Sequence, residues 1–138
     1  MPDLQVCDPA GMAPAAAAML DWAADRRLWA FTGPLGAGKT TLIQSLCRAL
    51  GVEEAVSSPT FALVNAYEAA GGEPVYHLDL YRLDSLDEAL AMGIEEYLDS
   101  GHYCLIEWPA VIEPLLPEEA VRVIIEPMAD NCRLISYT

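Results

Sequence analysis

The chain contains one lysine, Lys39, among 138 residues. Arginine adds six cations, so 7 basic residues face 21 acidic ones and the formal charge is −14. This shortage excludes a class of function. A protein that grips nucleic acid by itself needs a basic stripe to replace phosphate counterions, and no segment here supplies one. Any service to RNA or DNA would therefore run through a partner that holds the nucleic acid. Cysteine is sparse and scattered: Cys7, Cys47, Cys104 and Cys132 form no CxxC pair, which argues against a zinc or dithiol motif. Three of the four lie in apolar stretches and read as small core residues with reduced thiols. Long apolar runs are missing too. "MAPAAAAML" is too short and too alanine-rich to span a bilayer, and no basic residue precedes Arg26, so the n-region of a secretory signal is lacking. The expectation is a cytoplasmic protein without a membrane partner.

What is present is a core. Hydrophobic residues make up 54% of the chain, enough for one packed domain over residues 1–138. Residues 13–26 read as a helix with Pro14 in its first turn. "RLWAFTG" reads as a buried strand. Leu42, Ile43, Leu46, Cys47 and Leu50 recur at helical spacing, and Gly51 follows as a stop. "FALVNAYEAAGGEPVYHLDLY" has two strand-like halves around Gly71-Gly72, an antiparallel hairpin. Ser85 and Glu88 form a capping box before a short helix, and "IEEYLDS" gives another. "YCLIEW" is a second buried strand, and a loop or short helix runs from 109 to 116. Residues 121–126 and 132–137 read as two final strands. Trp22 and Trp29 read as core. Early strand–helix alternation interrupted by a hairpin predicts a three-layer α/β fold with a mixed, mostly parallel central sheet.

The solitary lysine sits in "GPLGAGKTT", which matches G-x-x-x-x-G-K-[ST] between a predicted strand and a predicted helix. Glycines there let backbone N–H groups turn inward around a phosphate, and the helix adds its positive N-terminal end. Gly33, Leu35, Gly36, Ala37, Gly38, Lys39, Thr40 and Thr41 are the candidate nucleotide contacts. Lys39 would reach the terminal phosphates, and the Thr40 hydroxyl could hold Mg2+. Guanine-specific proteins of this class use a later N/T-K-x-D, which needs a second lysine, so the nucleotide is expected to be ATP.

Such a site also needs an acid at a strand end for the metal. Asp79 ends "VYHLD" and Glu107 ends "YCLIE", and residue patterning does not choose between them. Thr60, in "SSPTF", stands where a switch loop could sense a γ-phosphate, or in an ordinary Ser-Pro turn. His77 and Asp79 point the same way on a strand, as a metal pair or, more simply, with His77 structural. Trp108 could cover the nucleotide, face a partner or pack.

Taken together, "GPLGAGKTT", "SPTF", "YHLDLYRL", "MGIEEYL", "CLIEWP" and "LLP" resemble, in order, the TsaE (YjeE) family, the bacterial ATPase component of tRNA threonylcarbamoyladenosine biosynthesis. The resemblance covers about residues 30–117. It implies a P-loop NTPase fold, ATP and Mg2+ as ligands, Thr40 and Glu107 as metal ligands, Asp79 as a second carboxylate for hydrolysis, and Thr60 in a switch-like loop. It implies two partners of sugar-kinase-like fold, which transfer the threonylcarbamoyl group to adenosine 37 of tRNAs reading ANN codons. The segment 7–12 falls where the family contacts adenine, but it contains Gly and Pro and assigns no contact. A small-molecule kinase is the rival reading, weakened because only Arg82, Arg122 and Arg133 follow the loop helix to build a lid. Of these, Arg82 is the best candidate for a catalytic charge. An ATP-gated binding module is the non-enzymatic rival.

Overall fold

The computed structural model describes residues 2–59 and 63–138. Seven strands form one sheet in the order β1-β7-β6-β2-β5-β4-β3: β1 Asp3–Val6, β2 Leu28–Thr32, β3 Val64–Glu68, β4 Pro74–Asp79, β5 Tyr103–Glu107, β6 Val121–Pro127 and β7 Arg133–Tyr137. The four central strands, β6, β2, β5 and β4, run parallel. Both flanks are antiparallel, through β3 on one side and β7 and β1 on the other. The mixed sheet with a parallel centre is as expected, and β3–β4 is the hairpin around Gly71-Gly72.

Period-two alternation sends side chains to two cores. Trp29 and Phe31 of β2 and Leu105 of β5 pack with α1 (Met12–Ala23) and α2 (Lys39–Ala49), through Met19, Leu42 and Leu46. Cys104 and Ile106 of β5 and Leu78 of β4 face the other way, onto Ala89 of α3 (Leu86–Ala91), Ile94 of α4 (Ile94–Leu98) and Ile112. Helices on both faces complete the three layers. Gly51, at φ 91°, ends α2 as expected. The Ser85 side chain accepts the Glu88 N–H at the start of α3.

Three expectations change. The first helix ends at Ala23, and Arg26 instead donates to the Glu119 and Ala120 carbonyls. Trp22 is not core: it is 39% exposed, edge-on to Tyr137 and under the Arg26 guanidinium, because it lies on the outer face of α1. The thiols are not all reduced. β1, too short to stand out in the sequence, pairs Val6 with Arg133, and the next register step joins Cys7 to Cys132 in a disulfide. Cys47 and Cys104 are buried and free; burial pushes their thiols up to about 11 and about 12.

The Cys7–Cys132 bond spans 125 residues. A crosslink of that reach should contribute about 2–4 kcal/mol, chiefly by restricting the unfolded chain. Reductant, or Cys7→Ser, should therefore lower the denaturation midpoint; an unmoved midpoint would contradict the pairing.

Candidate nucleotide-binding site

Parallel strands with a common register bring their carboxyl ends to one edge, and the site sits there. Phe31 of β2 is level with Glu107 of β5, which is level with Asp79 of β4. The loop 33–38 leaves β2 at that edge and enters α2. Its glycines are needed by geometry. Gly36 and Gly38 have φ of 78° and 105°, where other residues are strained. A Cβ on Gly33 would stand 2.6 Å from the Ile125 carbonyl oxygen.

Pro34 to Thr40 line a cavity of about 190 Å³ together with Ser58, Asp79, Glu107 and Trp108. The two competing acids are thus both present, in different settings. Glu107 is buried, and its Oε1 accepts the Thr40 hydroxyl at 3.2 Å. Its Oε2 lies 2.7 Å from His77 Nε2. Thr40 also meets the Ser58 hydroxyl at 2.8 Å. Asp79 is half-buried, and its Oδ1 accepts the Tyr81 N–H at 3.0 Å. Burial raises its pKa and nearby Glu107 adds to this; the Tyr81 N–H and the Lys39 ammonium oppose it.

Lys39 is 5% exposed. Its ammonium donates to the Gly33 and Pro34 carbonyls and stands 3.6 Å from the centre of the Trp108 ring. Burial lowers its pKa, while Glu107 and Asp79 pull the other way. Trp108 holds that place by adopting a left-handed conformation, φ 57°, directly after β5, and its ring also packs on Tyr81. It therefore faces Lys39 rather than the core.

A larger cavity, about 520 Å³, adjoins the loop on the β1 side. Thr41, Cys7, Asp8, Met12, Asn131 and Arg133 help line it. Arg133 reaches the loop, with Nη2 3.5 Å from the Gly36 carbonyl. Of the three arginines considered for catalysis, then, Arg133 touches the phosphate loop. Arg122 is paired with Glu113 at 2.5 Å, and Arg82, preferred from sequence, lines a small cavity beside Asp79. Thr60 lies outside the described residues. Sequence reasoning missed Ser58, the His77–Glu107 contact and the position of Arg133. Only the i, i+2 spacing of His77 and Asp79 hinted at any of these.

Among the described residues the oxygen set fits a small hard cation: a hydroxyl and a carboxylate converge beside a second carboxylate, at the N-terminus of a helix that suits phosphate. The sheet order, the glycine loop and the lysine at the helix start define the P-loop NTPase fold, and with it nucleotide binding. The comparisons agree. A model of the family "Threonylcarbamoyl adenosine biosynthesis protein TsaE" matches residues 7–135, so the chain belongs to the TsaE family. It is 40% identical over 106 residues to the tRNA threonylcarbamoyladenosine biosynthesis protein TsaE of Bacillus subtilis, covering 77% of this chain and 65% of that protein. The Haemophilus influenzae protein of the same name is 43% identical over 108 residues, covering 77% and 68%. The matched part is thus about two thirds of these relatives' length. The crystal structure of Bacillus subtilis YdiB superposes with a TM-score of 0.75 at 29% identity, covering 99% of this chain and 83% of that one.

Two outcomes test this geometry. Gly33→Ala must push a methyl group into a main-chain oxygen of β6, at about 1–3 kcal/mol. Nucleotide affinity measured by calorimetry should fall with the melting temperature. Asp79→Asn keeps the acceptor for Tyr81 and removes a disfavoured charge. Because the folded pKa of Asp79 is raised, its contribution is most favourable below the unfolded pKa and is lost as pH rises through the folded one. Asp79→Asn should therefore raise the melting temperature at neutral pH, and the gain should vanish in acid. A gain that grows in acid would reverse the assignment.

Proposed function

We propose that this chain is a magnesium-dependent ATPase serving threonylcarbamoylation of adenosine 37 in tRNAs reading ANN codons. On this reading it acts on a pair of sugar-kinase-like subunits that perform the transfer. One observation carries the proposal: the Thr40 hydroxyl and the Glu107 carboxylate meet at 3.2 Å behind a phosphate loop, in a chain of the TsaE family.

The residue roles follow from position. Backbone N–H groups of Gly33 and of Leu35 to Thr41, with the N-terminus of α2, would cradle the phosphates. Lys39 would exchange the Gly33 and Pro34 carbonyls for phosphate oxygens, with Trp108 shielding it from water. Thr40 and Glu107 would hold Mg2+, which when bound neutralises charge on the terminal phosphates. Asp79, at the same level and tied among the described residues to the Tyr81 N–H, would orient the attacking water. Thr60 would belong to the loop that senses the γ-phosphate. The larger cavity beside Thr41 and Met12 is where the base would extend, and the missing lysine of the guanine motif favours adenine.

The isolated site is short of positive charge for the transition state. Arg133 meets the loop at a carbonyl, and Arg82 reaches only the Asp79 side. An arginine supplied in trans can contribute ~10³–10⁵ in rate. Turnover alone should thus be slow, and docking on the partner pair should raise it. The charge of −14 sets the other half: tRNA is repelled by most of this surface.

Lys39→Ala should lose on the order of 2–4 kcal/mol of nucleotide binding, because no second lysine can substitute. Calorimetry giving near-normal ATP affinity would remove the phosphate-loop assignment. Glu107→Gln should weaken magnesium-dependent binding as well as turnover, whereas Asp79→Asn should affect turnover more than affinity. Titration and single-turnover assays decide, and the reverse pattern would move the metal to Asp79. At the level of the pathway, ATP turnover and modified tRNA should both rise when this chain and the partner pair are combined. Fast turnover indifferent to partners, or tight tRNA binding by this chain alone near physiological salt, would overturn the accessory role.

A further inference from the structure

We infer that His77 is a positioning residue for Glu107: its imidazole holds one carboxylate oxygen so that the other is aimed at Thr40, and so sets the affinity of the site for its metal. This rests on the reading of Glu107 as a metal ligand.

His77 is wholly buried on β4 and does not line the loop cavity. Its Nε2 lies 2.7 Å from Glu107 Oε2, and among the described residues its Nδ1 meets no hydrogen-bonding partner. An Nδ1–H would sit in the interior without an acceptor, which costs the full desolvation of that group. The ring hydrogen therefore belongs on Nε2, donating to Glu107. The two oxygens of Glu107 are then divided. Oε2 is spent on the imidazole, and Oε1 faces the Thr40 hydroxyl and the cavity.

A carboxylate bonded at one oxygen cannot rotate freely about its last torsion. The ligand oxygen is thus preset before any metal arrives, instead of being ordered at the metal's expense. Partners of this kind, one shell behind a metal ligand, typically change metal affinity or activity 10–100-fold when removed. His77 cannot itself be the ligand, because its Nε2 is already engaged and its Nδ1 faces protein.

The test compares two amides. His77→Gln places an N–H near the position of Nε2; His77→Asn is one methylene shorter and withdraws it. Mn2+ binding to the ADP-bound protein is read by electron paramagnetic resonance, with Mg2+ competition, and ADP affinity is read separately in chelator. His77→Asn should bind Mn2+ about 10–100-fold more weakly, His77→Gln should recover most of that loss, and ADP affinity without metal should change little in either. Thermal melts check folding, and His77→Leu replaces Asn if Asn does not fold. Normal Mn2+ affinity without the donor, or equal losses in Gln and the donor-free variant, overturns the inference. So does a further loss when the donor is removed from Glu107→Gln, since His77 would then act by another route. If Glu107→Gln alone leaves Mn2+ affinity intact, the metal-ligand reading has failed and the inference falls with it. If Glu107→Gln weakens Mn2+ and His77→Asn does not, only the role of His77 is lost.

Discussion

Taking a carboxylate out of water costs several kcal/mol unless hydrogen bonds and opposite charge replace the solvent. Glu107 is 3% exposed, and the surrounding structure is arranged around that cost. One oxygen takes the imidazole of His77 and the other the hydroxyl of Thr40. Lys39 brings a cation near, although it is itself disfavoured by burial. Three elements are thereby fixed to one another through a single side chain: β4 by His77, β5 by Glu107 and α2 by Thr40. The register of the parallel strands puts them within reach. A shift of β5 against β4 by one residue would turn Glu107 to the opposite face of the sheet, and the hydroxyl of Thr40 would lose its acceptor.

The excess of acid gives the loop its selectivity. An anionic nucleotide approaching a protein of charge −14 is repelled over most of the surface. The backbone N–H groups, the helix end and Lys39 supply a local attraction where they point together. Attraction of that kind acts at short range and depends on geometry. It suits phosphates that fit the loop better than a long polyanion, which would have to lie along acidic surface as well.

Much of this was legible in the sequence because periodicity and the phosphate-loop spacing are local signals. The loop, its helix, the hairpin and both strand-end acids needed no long-range information. The exceptions are contacts that close over distance. Nothing local connects Cys7 with Cys132, and β1, at four residues, is too short to show alternation. Arg133 opens the last strand, and only the β7–β6–β2 order brings it to the loop. Residue patterning alone leaves Asp79 and Glu107 open for a related reason. Both end strands in the same way, and what separates them is the partner each finds: a histidine on the adjacent strand for Glu107, the local Tyr81 N–H for Asp79. Trp22 lies outside the core because a helix buries one face, and apolar composition does not say which residues lie on it.

The two acids also constrain each other. They stand level on adjacent strands, and the charge on Glu107 adds to the burial that raises the pKa of Asp79. Two neighbouring carboxylates in a confined site favour a division of labour, one held and one free. The held one is Glu107, with bonds to both oxygens. The less constrained one is Asp79, which among the described residues has one backbone donor, and a place at the cavity wall. A cation bound beside Glu107 would relieve that repulsion and lower the pKa of Asp79. Occupancy of the metal position and readiness of the second acid would then be coupled electrostatically, without movement of the backbone. On the proposed function, a metal held by Thr40 and Glu107 would favour the ionised form of Asp79, against the opposing charge of phosphate in the loop.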